Sequence, residues 1–410
     1  MKNPLLVVIL ACLSMLGALS IDAYLPALPT IARDFSVPLP AVQQTLTVYL
    51  VTFAIMTLFY GTLSDSFGRR PVILIALVCY CVSSVGAGWA PTLGWLLFFR
   101  ALQGLSAGAG GVIGRAMVGD LFTGAEAQRV MSYISLVFGM APALAPILGG
   151  WLLAGWGWKF IFYFIATFSF VLMLACLWQL PESLVQEKRH AFHFRVIMRS
   201  YLEVGSHRAF LLRSLAGAFS FTGIMVYVAA APVYIIDQLH LTVREFGWLF
   251  VTFIAGMTVG SAAAARLSHR VKPVVLIEVA YVIMAVSVVT SLVYTACFTP
   301  RVPWAVIPHF IYGIGVSLAG PPMTVLTLEL FPHVKGMPSS LQSFIFMVIF
   351  ALISGAIAPL LYSSAFHLAI GAAAGLAISV VLWWLGSRGE PEHGVLTDDE
   401  QQLVDEAPHL

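Results

Sequence analysis

Two charged side chains lie inside apolar stretches of this sequence. Asp22 follows an apolar run from Leu5 to Ile21, and Arg100 lies about seven residues into another apolar stretch. On insertion scales a charge at bilayer depth costs about 2.5–3.5 kcal/mol, so such residues are usually functional. A carboxylate in this setting can take up and release a proton when its access to water changes. The first hypothesis is therefore a site that couples protons to movement across a membrane.

The composition places both residues in a membrane protein. Of the 410 residues, 60% are hydrophobic and 10% charged, and the mean hydropathy is +0.93. A soluble fold could not hide so much apolar surface. The net charge of +2 indicates no nucleic-acid partner, and the five cysteines lack zinc-type spacing. We therefore expect no metal site and no cofactor.

Twelve stretches are long enough to cross a bilayer, which requires about 20 apolar residues each. The predicted spans are 5–31, 41–64, 71–91, 93–119, 128–154, 159–180, 208–236, 244–267, 273–297, 303–330, 336–362 and 364–387. This predicts an all-α polytopic protein with two pseudo-symmetric six-helix bundles. The predicted segments are a first bundle at 1–180, a cytoplasmic linker at 181–207, a second bundle at 208–387 and an acidic cytoplasmic tail at 388–410.

The basic residues predict the orientation of the chain. With both termini on one side, that side holds fourteen Lys and Arg residues against four on the other. Basic residues accumulate on the cytoplasmic side, so both termini are expected there.

The two halves contain a repeat. "GTLSDSFGRRPVILI" (61–75) is similar to "ARLSHRVKPVVLI" (265–277), about 204 residues later, although His269 replaces an acid there. "FFRALQGLSAG" (98–108) is similar to "PHFIYGIGVSLAG" (308–320) at an offset of 209. The second match pairs Arg100 with His309 and Gly104 with Gly313. Duplicated halves are typical of transporters whose site lies between the halves at mid-membrane.

The loop after the second span resembles the cytoplasmic gate signature of the major facilitator superfamily. The matching residues are Gly61, Asp65, Gly68, Arg69 and Arg70. Gly68 permits a tight turn, the arginines anchor the loop in the cytoplasm, and Asp65 can pair with a nearby cation. We expect Arg115 and Asp120 to join this inner charge network. The alternative is a generic polar loop with a positive-inside signal.

The fifth span contains "GMAPALAPILGG" (139–150), which resembles the antiporter motif of drug:proton exporters in that superfamily. Its residues Gly139, Pro142, Pro146, Gly149 and Gly150 are spaced to share one helical face. Small residues there allow close backbone approach, and the prolines weaken the helix. Ordinary small-residue packing is the alternative.

Depth along the spans brings three polar residues to one level. By the rise of 1.5 Å per residue, Asp22, Arg100 and Tyr49 lie at similar depths, roughly 10–12 Å below the outer surface. Three interpretations of Asp22 remain open: a titrating carboxylate, a structural ion pair with Arg100, or a solvated group left at the interface by Pro26 and Pro29. His309 is a second titratable candidate because imidazole titrates near neutral pH.

A substrate cavity would need further side chains. Gln103 follows Arg100 in the fourth span, and aromatic residues on second-half spans could face such a cavity. These aromatic candidates include Phe221, Tyr227, Tyr312 and Phe346.

Together the stretches "IDAYLPALPTIARDF", "LSDSFGRRPV", "RALQG" and "APALAPILGGWL" resemble the Bcr/CflA group of drug:proton antiporters. The resemblance is strongest over residues 15 to 185. It implies a monomeric twelve-helix transporter in the bacterial inner membrane that exchanges protons for small amphipathic compounds such as bicyclomycin or phenicol antibiotics. Carried over residue by residue, it assigns coupling and substrate binding to Asp22 and Arg100.

The sequence is also compatible with other functions. The same fold could move an endogenous metabolite, or import rather than export. An intramembrane enzyme is disfavoured because no HExxH motif or catalytic pair is present at plausible spacing. A non-transporting receptor is disfavoured by the two complete six-helix halves.

Overall fold

The structure is a computed structural model that describes residues 4–186, 189, 193–268, 270–331 and 336–388. The described chain consists of helices and connecting turns, without a β-strand. The predictions that lie outside the described residues concern His269, part of the linker and the tail beyond Arg388.

The first half contains eight α-helices that build six membrane spans. They are α1 (Pro4–Asp22), α2 (Leu28–Asp34), α3 (Leu39–Phe67), α4 (Arg69–Gly88), α5 (Leu93–Ala107), α6 (Ala109–Leu121), α7 (Gly124–Trp156) and α8 (Lys159–Gln179). A 3-10 turn, Leu25–Ala27, joins α1 to α2, and α5 continues into α6 through Gly108.

The second half begins with a linker helix and continues with the remaining spans. Its helices are α9 (Phe194–Ser206), α10 (Arg208–Ser220), α11 (Thr222–Ala229), α12 (Gly247–Leu267), α13 (Pro273–Cys297), α14 (Ile307–Leu328), α15 (Gly336–Leu352) and α16 (Ala365–Ser387). Two π-helical segments, Val233–Gln238 and Ile353–Ile357, extend the seventh and eleventh spans.

The predicted spans are confirmed. Eleven of the described helices are long and apolar enough to cross a membrane, and a twelfth span is α10 with α11, bent by 49°. The helices form two bundles of six, and most helices pack mainly against others of their own half, whereas α15 has its most extensive contact with α3 of the first half. We call the end of the molecule at which α1 begins the N-terminal face, and the other end the opposite face.

The first span is interrupted but does not end at Asp22. It runs from Pro4 to Asp34, and its middle changes from α-helix to a 3-10 turn with Pro26 in the turn's first residues. Asp22 is only 7% exposed, and Ala23 and Tyr24 are fully buried. The interpretation of Asp22 as a solvated interfacial residue is therefore wrong, because the chain continues beyond the prolines as α2.

Glycine contacts confirm the internal repeat. A methyl group on Gly104 of α5 would lie 2.3 Å from the carbonyl oxygen of Tyr49 on α3. In the second half, a methyl group on Gly313 of α14 would lie 2.5 Å from the carbonyl oxygen of Phe253 on α12. The two glycines are 209 residues apart and the two carbonyls 204, as the repeat predicted. Both halves thus use the same close approach of their second and fourth spans.

A cavity of about 830 Å³ lies between the two bundles. Its wall includes Asp65 near the end of α3 and Met337 near the start of α15, both at the N-terminal face. It extends to Ile21 and Phe53 near mid-membrane. The structure therefore shows a conformation that opens at the N-terminal face.

The linker helix α9 lies at the mouth of this cavity. Its Tyr201 lines the cavity and donates a hydrogen bond to the carbonyl oxygen of Leu58 on α3, at 2.7 Å. Phe194 stacks on Phe59, while Gly205 lies against Leu341 of α15. The helix thus contacts both halves at the N-terminal face.

The substitution Gly104→Ala should destabilise the protein by about 1–3 kcal/mol, the usual cost of overpacking. The added methyl group would collide with backbone, which cannot move aside as a side-chain tip can. Thermal unfolding in detergent measures the effect. Gly119→Ala is the matched control, because no atom of the described residues lies within 4 Å of its added methyl group. Equal unfolding temperatures for the two variants would contradict the assigned contact.

Candidate functional site

Arg100 is fully buried, with an exposed fraction of 0%. Its guanidinium lies over the ring of Tyr49 at 4.2 Å from the centroid and over that of Tyr24 at 4.7 Å. Its Nη1 donates a hydrogen bond to Oε1 of Gln103, one turn further along α5, at 3.0 Å. A planar, weakly hydrated guanidinium is suited to stacking on aromatic faces. The first and second spans therefore meet the fourth through one cation and two rings.

Hydrogen bonds extend this cluster to the third span. Gln103 donates from Nε2 to Oγ of Ser84 on α4, at 2.7 Å. Tyr80, one turn earlier on α4, is hydrogen-bonded to Ser20 of α1. These side chains are buried, and the hydrogen bonds satisfy polar groups that cannot reach water.

The sequence did not single out four members of this cluster. They are Ser20, Tyr24, Tyr80 and Ser84. Tyr24 is two residues from Asp22, and its hydroxyl is hydrogen-bonded to Oγ1 of Thr45 at 2.7 Å. A signal was available in part, because Tyr24 lies within the quoted stretch "IDAYLPALP".

Asp22 lies beside this cluster but does not pair with Arg100. Among the described residues, the salt bridges are confined to Arg69 with Asp65 and Asp120, and Arg189 with Glu182. Tyr49 lies within electrostatic reach of both Asp22 and Arg100. The direct ion pair considered for Asp22 is thus not formed; Nη1 of Arg100 is bonded to Gln103, and its Nε and Nη2 have no hydrogen-bond partner among the described residues.

The cavity wall next to Asp22 belongs to α1. Ser14, Gly17, Ala18 and Ile21 line the cavity, and these residues recur at helical spacing on one face of α1. Asp22 is the next residue after Ile21, on a neighbouring face. The carboxylate therefore lies behind the cavity wall in this conformation.

Two of the five predicted cavity residues line the cavity. Phe221 and Phe346 do so, in an edge-to-face contact with centroids 5.0 Å apart. Gln103 is instead bonded inside the first bundle. Tyr227 and Tyr312 face a separate void of about 10 Å³, which has room for about one water molecule. The prediction fails for these three because periodicity alone does not distinguish a helix's bundle-facing side from its cavity-facing side.

His309 occupies the second half's counterpart of the Arg100 position. It is 3% exposed, and its ring lies 4.2 Å from that of Tyr227 and 5.8 Å from that of Tyr234. Tyr24 and Tyr234 are 210 residues apart, close to the offset between Arg100 and His309. Each half thus buries a basic side chain of its fourth span against tyrosine of its first span. His309 does not reach the 830 Å³ cavity.

The gate signature forms a compact charge network at the N-terminal face. Arg69 pairs with Asp65 at 2.5 Å and with Asp120 at 3.2 Å. Gly68 adopts a φ of +100°, and a methyl group there would lie 2.5 Å from Oε2 of Glu182. The same Glu182 accepts a hydrogen bond from the backbone N–H of Arg69 at 3.0 Å. The linker is thus attached to the gate turn, and glycine is required there by backbone geometry and by space.

Other predicted gate residues lie apart from this network. Arg70 donates from Nη2 to the carbonyl oxygen of Leu177, at 2.7 Å. Gly61 and Arg115 line the cavity, and Arg115 makes none of the ion pairs found in the described chain. The prediction that Arg115 joins Asp65 is wrong because Arg69, one turn from Asp65, takes that carboxylate.

The antiporter-motif residues of α7 face different neighbours rather than one. A methyl group on Gly149 would lie 2.0 Å from the carbonyl oxygen of Ala23, next to Asp22. One on Gly150 would lie 2.2 Å from the carbonyl oxygen of Val243, in the second half. Gly139 has no close neighbour among the described residues, and Pro142 and Pro146 remain inside the continuous helix. Adjacent residues point about 100° apart on a helix, so the last two glycines contact two elements.

The opposite face is closed by hydrogen bonds between the halves, which the sequence did not indicate. Gln43 of α3 is 1% exposed and donates from Nε2 to the carbonyl oxygen of Ala229 at 2.8 Å. Its Oε1 accepts a bond from the hydroxyl of Tyr362. Gln44 donates to the carbonyl oxygen of Gly355 at 3.0 Å. Two consecutive glutamines thus connect the second span to the seventh and eleventh.

Comparisons with known proteins agree with this architecture. The family model described as Major Facilitator Superfamily matches residues 10–352 and 213–407. The chain is similar to the bicyclomycin resistance protein homolog of Haemophilus influenzae, with 28% identity over 94% of this chain and 97% of that protein. It is also similar to the multidrug resistance protein MdtM of Escherichia coli, with 27% identity over 80% of each chain.

A solved structure supports the fold. The human organic anion transporter MFSD10 (TETRAN) is similar with a TM-score of 0.67 and 18% identity, covering 94% of this chain and 100% of that one. At this identity the likeness concerns the arrangement of helices alone.

Arg100→Lys should destabilise the protein by about 1–2 kcal/mol, because an ammonium replaces the planar group that stacks on two rings. Thermal unfolding in detergent measures the change. Arg195→Lys, at an exposed position on α9, is the control and should unfold like the wild type. An unchanged unfolding temperature for Arg100→Lys would show that the ring contacts do not stabilise the bundle.

Gln43→Ala should shift the protein towards the conformation that opens at the opposite face. It removes the hydrogen bond to the Ala229 carbonyl and the acceptor of the Tyr362 hydroxyl, which costs about 1–3 kcal/mol in the present conformation only. Spin labels at exposed positions 91 and 299, in a cysteine-free background, should report a longer distance. Gln179→Ala, exposed on α8, should leave the distance distribution unchanged. An unaltered distribution in Gln43→Ala would exclude this residue from the closure.

Proposed function

The chain belongs to the Major Facilitator Superfamily, as its motifs indicated, and from that premise we propose that it exports small amphipathic compounds in exchange for protons. Bicyclomycin and phenicol antibiotics are the substrates that the sequence resemblance suggests. The names of the relatives in Haemophilus influenzae and Escherichia coli support drug efflux. The observation that carries the proposal is a cavity between the halves, open at one face, with a buried carboxylate directly behind its wall.

The dimensions of the cavity suit such substrates. A volume of about 830 Å³ falls within the range of small-molecule sites, about 300–1,000 Å³. The wall combines phenylalanine and methionine with serine and threonine hydroxyls. Apolar bodies with a few polar groups fit a surface of this kind, and methionine adapts to different shapes.

The orientation gives the direction of the cycle. The excess of basic residues supports a cytoplasmic location of the N-terminal face, and in that orientation this conformation would receive compounds from inside the cell. Rocking of the bundles would break the Gln43 and Gln44 contacts and close the cavity beneath Asp65. The compound would then be released at the opposite face, as in alternating access.

Coupling in this proposal passes through the first span. Asp22 lies where α1 ends, its neighbour Ile21 lines the cavity, and its other neighbour Ala23 contacts Gly149 of α7. A shift of α1 during rocking would change the access of Asp22 to water. The carboxylate would take up a proton from the opposite face and release it at the N-terminal face, while the Arg100 cluster keeps the neighbouring spans in register.

Asp22→Asn should abolish substrate-induced proton flux in proteoliposomes, because asparagine cannot exchange a proton. Flux is measured with a pH dye while a phenicol is added. Binding of the phenicol should persist, since Asp22 does not line the cavity. Asp237→Asn, at an exposed site, is the control and should retain wild-type flux. Unchanged flux in Asp22→Asn would remove Asp22 from the coupling role.

Drug accumulation in cells separates export from the alternatives. An uncoupler should raise the phenicol content of cells that express the protein, because export stops when the proton gradient collapses. A lower content would indicate proton-driven import. An unchanged content, together with proton flux on addition of a metabolite, would indicate an endogenous substrate instead.

A further inference from the structure

The described wall of the cavity is almost without charge. Its ionisable side chains are Asp65, Arg115 and Tyr201, and all three lie towards the N-terminal face. Asp65 is already paired with Arg69. Deeper in the bilayer the described wall holds glycine, alanine, aromatic, thioether and hydroxyl groups. A bound cation would therefore lack a counter-charge once the cavity closes around it.

Five hydroxyl groups of the wall donate their hydrogens in the same way. Ser14, Thr57 and Ser220 donate their hydrogens to carbonyl oxygens of their own helices, at 2.7, 2.6 and 2.7 Å. Thr62 and Ser343 do the same, each at 3.0 Å. A hydroxyl whose hydrogen is used in this way has only lone pairs left. These five groups therefore present hydrogen-bond acceptors to a ligand.

One buried hydroxyl of the wall has no partner among the described residues. Ser214 of α10 is 1% exposed and lines the cavity, and its Oγ has no hydrogen-bond partner among the described residues. A buried hydroxyl without a partner costs about 1–3 kcal/mol. A ligand group that bonds Ser214 would recover part of that cost on binding.

We propose that this cavity selects uncharged compounds that have an apolar body and carry several hydroxyl or amide hydrogen-bond donors. The inference rests on the proposed export function and names the substrate class of its cavity. Donors on the ligand meet the lone pairs of Ser14, Thr57 and Ser220, and apolar parts pack against Phe53 and Met347. Permanent cations are disfavoured because moving a charge into a closed, low-dielectric cavity without a partner is costly.

Matched ligands test both parts of the proposal. Binding is measured by competition against a radiolabelled phenicol on purified protein, without a proton gradient. Benzoylcholine and 3,3-dimethylbutyl benzoate differ only by a quaternary nitrogen in place of a carbon. The neutral ester should compete at least about tenfold better, which corresponds to about 1.4 kcal/mol. The O-acetylated phenicol, which has lost hydroxyl donors, should compete about tenfold worse than its parent.

A designed charge supplies a second test. Gln342 is half-buried in the cavity wall, and Gln342→Glu adds a carboxylate of nearly the same shape. The ratio of the two ester affinities should move about tenfold towards the cation, because the charge now has a partner. Gln128→Glu, on an exposed part of α7 outside the wall, should leave the ratio at its wild-type value.

Three results would overturn the proposal. They are equal competition by the two esters, as an aromatic cage for quaternary ammonium would give, an unaltered ratio in Gln342→Glu, and absence of phenicol binding. Failure of proton coupling gives a different pattern, with selective binding intact and no substrate-induced proton flux. Selective competition without proton flux therefore overturns only the coupling, and equal competition by the two esters with proton flux intact overturns only the selectivity.

Discussion

A guanidinium group without access to solvent organises the first four membrane spans. Inside a bilayer every polar group has to find its partner within the protein, and a buried charge is the most demanding case. Arg100 is held by the faces of Tyr24 and Tyr49 and by the amide of Gln103. Gln103 in turn engages Ser84. The first four spans thus share one polar core, and the close contact of Gly104 with the Tyr49 backbone keeps α3 and α5 near enough to form it.

The second half repeats this design with less charge. His309 replaces Arg100 and packs against Tyr227 and Tyr234, while Gly313 repeats the approach of Gly104. The charge network of the described N-terminal face is likewise concentrated on the first half and the start of the linker. Duplication has preserved backbone packing more strictly than side-chain chemistry, because a carbonyl contact admits only glycine whereas a buried polar site accepts several residue types.

Charge and substrate space are separated in this molecule. The first span contributes small and aliphatic residues of α1 to the cavity wall. Asp22 lies on the neighbouring face of the same helix. A proton and a compound can thus act on one helix without competing for one contact. The same separation leaves the deep wall of the described cavity neutral, which connects the position of Asp22 with the selectivity inferred for the cavity.

The sequence by itself determined the number of spans, the repeat and the gate turn, because hydropathy and local glycine chemistry are properties of short segments. It also identified Asp22 and Arg100 as charged residues inside apolar spans, where a charge is costly. Only the tertiary structure decided their partners. Tyrosine faces hold Arg100, Gln43 closes the opposite face, and Tyr227 and Tyr312 point into their own bundle rather than the cavity. Each of these contacts joins helices that are distant along the chain, and the angle at which two helices meet is set by packing that no single span encodes.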